Sequence, residues 1–187
     1  MRTMLSIMKK RKNGIPGDKL EIFERIIQTH YVSNRGSDEG DNKFMEAIGE
    51  HLTEAQRFRL WEQHGGCMGT GHDKERKAFA LEHAGKPLTE RLKLFEKTFN
   101  RRKTVLNGDN TITVKFACTH GYYKRAREGK CLPPPASIGL YFERCAGGRL
   151  YEYQKALGIK LKIKSVDVSP LSENIQNPVV FTFEIVE

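Results

Sequence analysis

The side chains best suited to chemistry are the soft donors of the second half: Cys118, His120, Cys131 and Cys145. Thiolates and imidazoles are the usual ligands of a four-coordinate zinc ion, so these residues define a candidate metal site, with zinc as the expected cofactor. Only Cys118 and His120 stand at the short separation typical of structural zinc sites. Cys145 has a second reading as a nucleophile. It precedes an expected helix and follows Arg144, and both features favour a thiolate. In that reading His120 is the base and Glu143 orients it, which gives the catalytic set Cys145, His120 and Glu143. A plainer reading makes Cys118 a small buried hydrophobe, since free cysteine is among the most buried residue types. In the first half Cys67 lies between His64 and His72 in a glycine-rich turn. These three either join the second-half site or simply flank a tight turn.

Composition narrows the classes. The chain has 187 residues, 38% of them hydrophobic, which suits an ordinary globular protein. The apolar runs are short and broken by charge, so no membrane span is expected. The first residues lack the apolar length and cleavage site of a secretory signal, and four cysteines in such a chain point to a reducing, cytoplasmic setting. The net charge is +9, but Arg2, Lys9, Lys10, Arg11 and Lys12 all precede the first acid, Asp18. Residues 1–17 are therefore expected to be a basic, flexible arm, solvated rather than bound to phosphate. A protein that grips nucleic acid or another acidic partner through this arm is the alternative reading. The mixture of Tyr122, Tyr123, Lys124, Arg125 and Arg127 is read as a solvated loop in preference to a single-strand binding surface.

The elements that must position these residues are legible from periodicity. Asp18 opens a helix carrying Leu20, Phe23, Ile26 and Ile27 on one face. A second helix carries Phe44, Met45, Ile48 and Leu52, and Thr53-Glu54-Ala55-Gln56 is a capping box for a third, which buries Phe58 and Trp61 and stops at Gly65. A charged helix follows from Asp73, then one with Leu88, Leu92, Phe95 and Phe99 in a stripe. After Asn100 the pattern changes. Asn107-Gly108-Asp109-Asn110 is a turn, and Ile112, Val114, Phe116 and Cys118 alternate with polar residues as a strand. A short strand near Gly139 to Phe142 is expected to lead through Cys145-Ala146-Gly147-Gly148 into a helix ending at Gly158. Two strands, Ile159 to Val168 and Val179 to Ile185, close the chain as an antiparallel pair. Lys160, Lys162 and Lys164 form the wet face of the first. The fold class is α+β, with a helical part over 18–100 and an α/β part over 101–187 carrying Cys118, Cys131 and Cys145.

The run Tyr141-Phe142-Glu143-Arg144-Cys145-Ala146-Gly147-Gly148, then Tyr153-Gln154-Lys155-Ala156-Leu157-Gly158, a lysine-rich strand and a Phe-x-Phe-x-Ile strand resembles the C-terminal part of a bacterial group. That group comprises the L-2-amino-thiazoline-4-carboxylic acid hydrolase-like proteins and the related 4-vinyl-reductase-type ligand-binding domains. The chain departs from it at Pro178-Val179-Val180, where relatives often carry a cysteine, and at Cys118-Thr119-His120, where they often carry paired cysteines. The resemblance implies a helical first part packed on a mixed α/β sandwich, with Cys145 at the site. The resulting expectation is a protein that binds a small ligand or metal ion at its Cys/His site, with a thiol-dependent hydrolase as its enzymatic form.

Overall fold

The structure, a computed structural model, describes residues 1–31, 38–65, 72–100, 104–118, 121–129 and 137–186. The first half supplies helices α1 (Arg2–Met8), α2 (Gly17–His30), α3 (Asp38–His51), α4 (Glu54–His64), α5 (Asp73–Glu82) and α6 (Leu88–Thr98), with a 3-10 turn at Arg11–Asn13. The second half adds strands β1 (Thr104–Leu106) and β2 (Thr111–Phe116), helices α7 (Gly121–Arg127) and α8 (Ile138–Leu157), strand β3 (Lys160–Asp167), a short α9 (Pro170–Glu173) and strand β4 (Val179–Val186). The strands form one antiparallel sheet in the order β1-β2-β4-β3, so the fold is α+β with helices packed on an antiparallel sheet. No helix among the described residues is long and apolar enough to cross a membrane.

Local sequence explains most of these elements. The Thr53 hydroxyl accepts from the Gln56 amide while the Gln56 side chain accepts from the Thr53 amide, and this box starts α4. Gly65 ends α4 at φ 71°, a left-handed position that glycine takes without penalty. In β4, Val179, Phe181 and Phe183 face the core at every second position. In β3, Leu161 and Ile163 are buried while Lys160 and Lys162 are exposed.

Four expectations are corrected. The basic arm is not flexible: α1 buries Met4, Leu5, Ile7 and Met8 and packs on α2 and α4, because the apolar residues between its charges make a helical face. The chain does not divide at Asn100, since one continuous core runs from Met4 to Phe183. Nor is there a strand near Gly139 to Phe142. Ser137 caps a helix there, its hydroxyl accepting from the Leu140 amide, and α8 runs unbroken through Gly147 and Gly148. The expected loop at Tyr122 to Arg127 is likewise helical, and Tyr123 is buried with its ring 4.5 Å from that of Phe142.

Those two glycines suggest a turn in the sequence, but Gly147 answers a packing demand. Arg57 meets Glu143, Trp61 meets Gly147 and Gly65 meets Tyr151, so α4 and α8 run parallel at a constant offset of 86 residues. A Cβ on Gly147 would stand 2.8 Å from the Trp61 carbonyl carbon and 2.9 Å from its Cβ, closer than van der Waals contact permits. The glycine lets the two backbones touch. On its other side α8 holds α5 through a buried ionic group. Glu152 receives Arg149 at 2.7 Å and Arg76 at 3.4 Å, and Tyr151 donates to Asp73 at 2.6 Å.

Both outer strands have backbone donors closed by helix side chains. The Leu161 amide donates to Gln154 at 2.8 Å, the Ile163 amide to Glu62 at 2.7 Å, and the Thr104 amide to Glu96. Burial pushes the Glu62 carboxyl above its ordinary range, against the pull of the Ile163 amide, Lys162 and Arg59. The folded protein therefore holds that proton more tightly than the unfolded chain does, and stability falls as pH rises from the ordinary carboxylate range through the raised value. Glu62→Gln keeps the oxygen for Ile163 and removes the charge. It should raise the melting temperature at pH 7 by on the order of 2 °C, with the gain vanishing near pH 4. Equal gains at both pH values would show that ionisation is not the cause.

Candidate functional site

A cleft of about 590 Å³ opens where α3, α4 and the first turns of α8 meet. Each wall follows from the local sequence. On α3 the residues Asp41, Met45, Glu46 and Gly49 share a face, with Gly49 leaving room for the Leu140 side chain opposite. On α8 the early start at Ile138 brings Ser137, Leu140, Tyr141, Glu143 and Arg144 to the cleft. Arg57 of α4 forms the floor between them.

The charges of the cleft are unequally satisfied. Glu143 is buried, and both its oxygens are taken: Arg57 Nε and Nη2 bind it at 2.8 and 2.9 Å, and the Trp61 indole donates from 3.4 Å. Arg57 also donates to the Leu52 carbonyl at 3.0 Å, so this pair is a fixed wall. Asp41 accepts from the Tyr31 hydroxyl, whose pKa is raised first by burial and then by that bond. Glu46 is exposed and has no hydrogen bond or ion pair among the described residues.

Arg144 is different. It is half-buried, its Nε is closed off from solvent without a hydrogen-bond partner, and it forms no ion pair among the described residues. Its charge acts on neighbours of its own sign. The pKa of His64, at the end of α4, is lowered by burial first, then by Arg144 and by the Met1 amino group. His64 Nδ1 is also buried without a partner.

The expected site residues are distributed as follows. Cys145 is buried in the interior of α8 rather than ahead of a helix, so the helix-terminus argument for a thiolate does not apply to it. Glu143 reaches the cleft but is committed to Arg57 and Trp61. Cys118 is buried just beyond β2, with its sulfur 3.1 Å from the Tyr141 hydroxyl, and Tyr141 is a cleft residue one helical turn before Cys145. Neither thiol is disulfide-bonded. His120, Cys131 and Cys67 lie outside the described residues, and His72 is exposed with Nδ1 3.1 Å from Glu75. Among the described residues no three His, Cys, Asp or Glu side chains converge as metal ligands would.

Sequence reasoning missed Arg57, Asp41 and Tyr141, and it gave Arg144 only a supporting part. One signal was available: Arg57 lies one turn before Trp61 on the buried side of a capped helix, where a cation requires a partner. No protein-family model, curated protein or solved structure matches the chain. The cleft is therefore read from its own geometry.

Proposed function

We propose that the protein binds a small acidic molecule in the cleft between α3, α4 and α8, with Arg144 holding the anionic group. The observation that carries this reading is the unpaired guanidinium on the cleft wall. Taking a cation partly out of water without a counter-charge is costly, and a carboxylate or phosphate on a ligand removes that cost through charge-assisted hydrogen bonds. The volume suits a metabolite-sized molecule, and Met45, Leu140 and Tyr141 give it apolar surface. Asp41 and Glu46, across the cleft, would receive a cationic group on the same molecule. An amino-thiazoline-carboxylate, the ligand type in the name of the group the C-terminal motifs resemble, has both kinds of group.

Binding is better supported than thiol hydrolysis, because Cys145 is not among the residues that line the cleft. Zinc held by Cys118, His120, Cys131 and Cys145 is the other reading, and elemental analysis of protein never exposed to chelator tests it independently. For the cleft, the measurement is thermal stability against 2-amino-thiazoline-4-carboxylate and a panel of amino acids, dicarboxylates and sugar phosphates. At least one should raise the melting temperature by about 4 °C at ten times its Kd, and Arg144→Gln should abolish the shift while leaving the unliganded protein folded. A shift that survives in Arg144→Gln would place the ligand elsewhere. No shift from any acidic compound would remove the reading.

A further inference from the structure

The docking of the N-terminal basic segment places its charges on a fixed surface. The 3-10 turn at Arg11–Asn13 is held on α4 by Gln56, whose amide donates to the Gly14 carbonyl at 2.8 Å, and by Gln63, which donates to Asn13 Oδ1 at 2.5 Å. Asn13 is buried and donates in turn to the Ile7 carbonyl at 2.6 Å, so α1 and the turn are one unit. Gln56, Arg59 and Gln63 follow at helical spacing, which brings Arg59 beside the turn. On the far side of Arg59, Glu62 reaches β3 at the Ile163 amide, and both Arg59 and Lys162 act on the Glu62 charge. Lys10, Arg11, Lys12, Arg59 and Lys162 thus form a continuous stripe from the turn, over α4, to the edge of the sheet. All are exposed, and none of their side chains forms a hydrogen bond or ion pair among the described residues. The nearby acids are Glu62, Glu184 opposite Lys162 in the β3–β4 register, and Glu24, which pairs with Lys9 beside the turn at 2.5 Å.

We infer that this stripe is a binding surface for the phosphate backbone of a double-stranded nucleic acid. The stripe crosses the width of α4, about 10 Å, and extends onto both neighbours. Over roughly 20 Å a duplex presents on the order of a dozen phosphates, enough to engage every cation in the row. The composition of the surface separates duplex from other polyanions. No Phe, Tyr or Trp side chain is exposed among the described residues, and the exposed ring of His72 lies outside the stripe, so it offers unpaired bases no platform to stack on. Among the described residues the exposed large apolar side chains, Leu81, Val105 and Ile138, lie outside the stripe, so an acidic protein finds no apolar anchor among them there. What the stripe offers is fixed positive charge, and that is what backbone recognition requires.

The test is fluorescence anisotropy of a labelled 20-base-pair duplex with the full chain between 50 and 200 mM salt. Five phosphate contacts predict a slope of log K on log salt near −4.5, and a loss of affinity of about 500-fold across that range. Arg59→Gln and Lys162→Gln, both at exposed positions, should each weaken binding several-fold while the protein stays folded, as the far-ultraviolet circular dichroism spectrum reports. Glu62→Gln, which removes an acid from the row, should strengthen it. Binding lost in Lys10→Glu/Arg11→Glu/Lys12→Glu but indifferent to Arg59 and Lys162 would reduce the surface to a charged tail and overturn the inference. So would absence of binding at 50 mM salt, tighter binding of the single strand, or displacement by poly-glutamate as effective as by unlabelled duplex.

Discussion

Gly147→Ala should lower the melting temperature by roughly 10 °C, the equivalent of about 3 kcal/mol. The added methyl has nowhere to go. It meets the backbone of Trp61 and not the far end of a flexible side chain, so relief requires α4 and α8 to separate along their length. Separation would stretch the Arg57–Glu143 bonds one turn away and loosen Tyr151 against Gly65 one turn on. Gly139→Ala, in the same helix, is the control. There a Cβ meets only Ser137 Oγ at 3.9 Å, and the gain in helix propensity should leave stability unchanged or raised by up to about 1 kcal/mol. If the two substitutions cost the same, the close approach of the helices is not what Gly147 serves.

Glu152→Ala should be as damaging, by about 3–5 kcal/mol, because it removes the buried carboxylate that two interior cations share and leaves Arg76 only the longer pair with Asp73, at 3.6 Å. Arg76 is 1% exposed and Arg149 12%, and both direct a nitrogen at the Glu152 carboxylate. Arg149 would keep its stacking on the Phe116 ring at 5.3 Å, but neither guanidinium would keep its charge partner at 152. Urea denaturation measures the loss. Combining Glu152→Leu with Arg76→Met should recover a large part of it, since an apolar pair removes the cost of burying the charges at all. A single Glu152→Ala variant within about 1 kcal/mol of the parent would mean that the group is solvated in the folded state.

The helices and strands were legible wherever local chemistry alone decided them. The capping box at Thr53, the αL glycines at Gly65 and Gly158, and the alternation of Leu161 and Ile163 with lysines each carry their cause within a few residues. What misled were residues whose role is set by a distant partner. Gly147 and Gly148 have turn propensity, and only the backbone of Trp61 explains why a helix passes through Gly147. The basic segment looked like a solvated tail because four of its cations run together at 9–12 and no acid precedes Asp18, yet Met4, Leu5, Ile7 and Met8 fall on one helical face. The cleft was harder still. Arg144 stood out in the sequence as a neighbour of Cys145, but on a helix adjacent residues diverge by about 100°, and the arginine faces the cleft while the thiol is buried.

The parallel pairing of α4 with α8 also sets the order of events during synthesis. Contacts that join residues 86 positions apart have to wait for the later partner, and at about 5–20 residues per second that delay is several seconds. During it Trp61 and the Arg57 guanidinium are made but lack their partners on α8, Gly147 and Glu143. The packing of α1 on α2 and α4, and of α2 on α3, needs no later residue, but the face of α4 that carries Arg57 and Trp61 is closed only when α8 clears the ribosome. The apparent division of the sequence into a helical half and a mixed half is therefore a division in composition, while the core that joins the halves has to wait for α8.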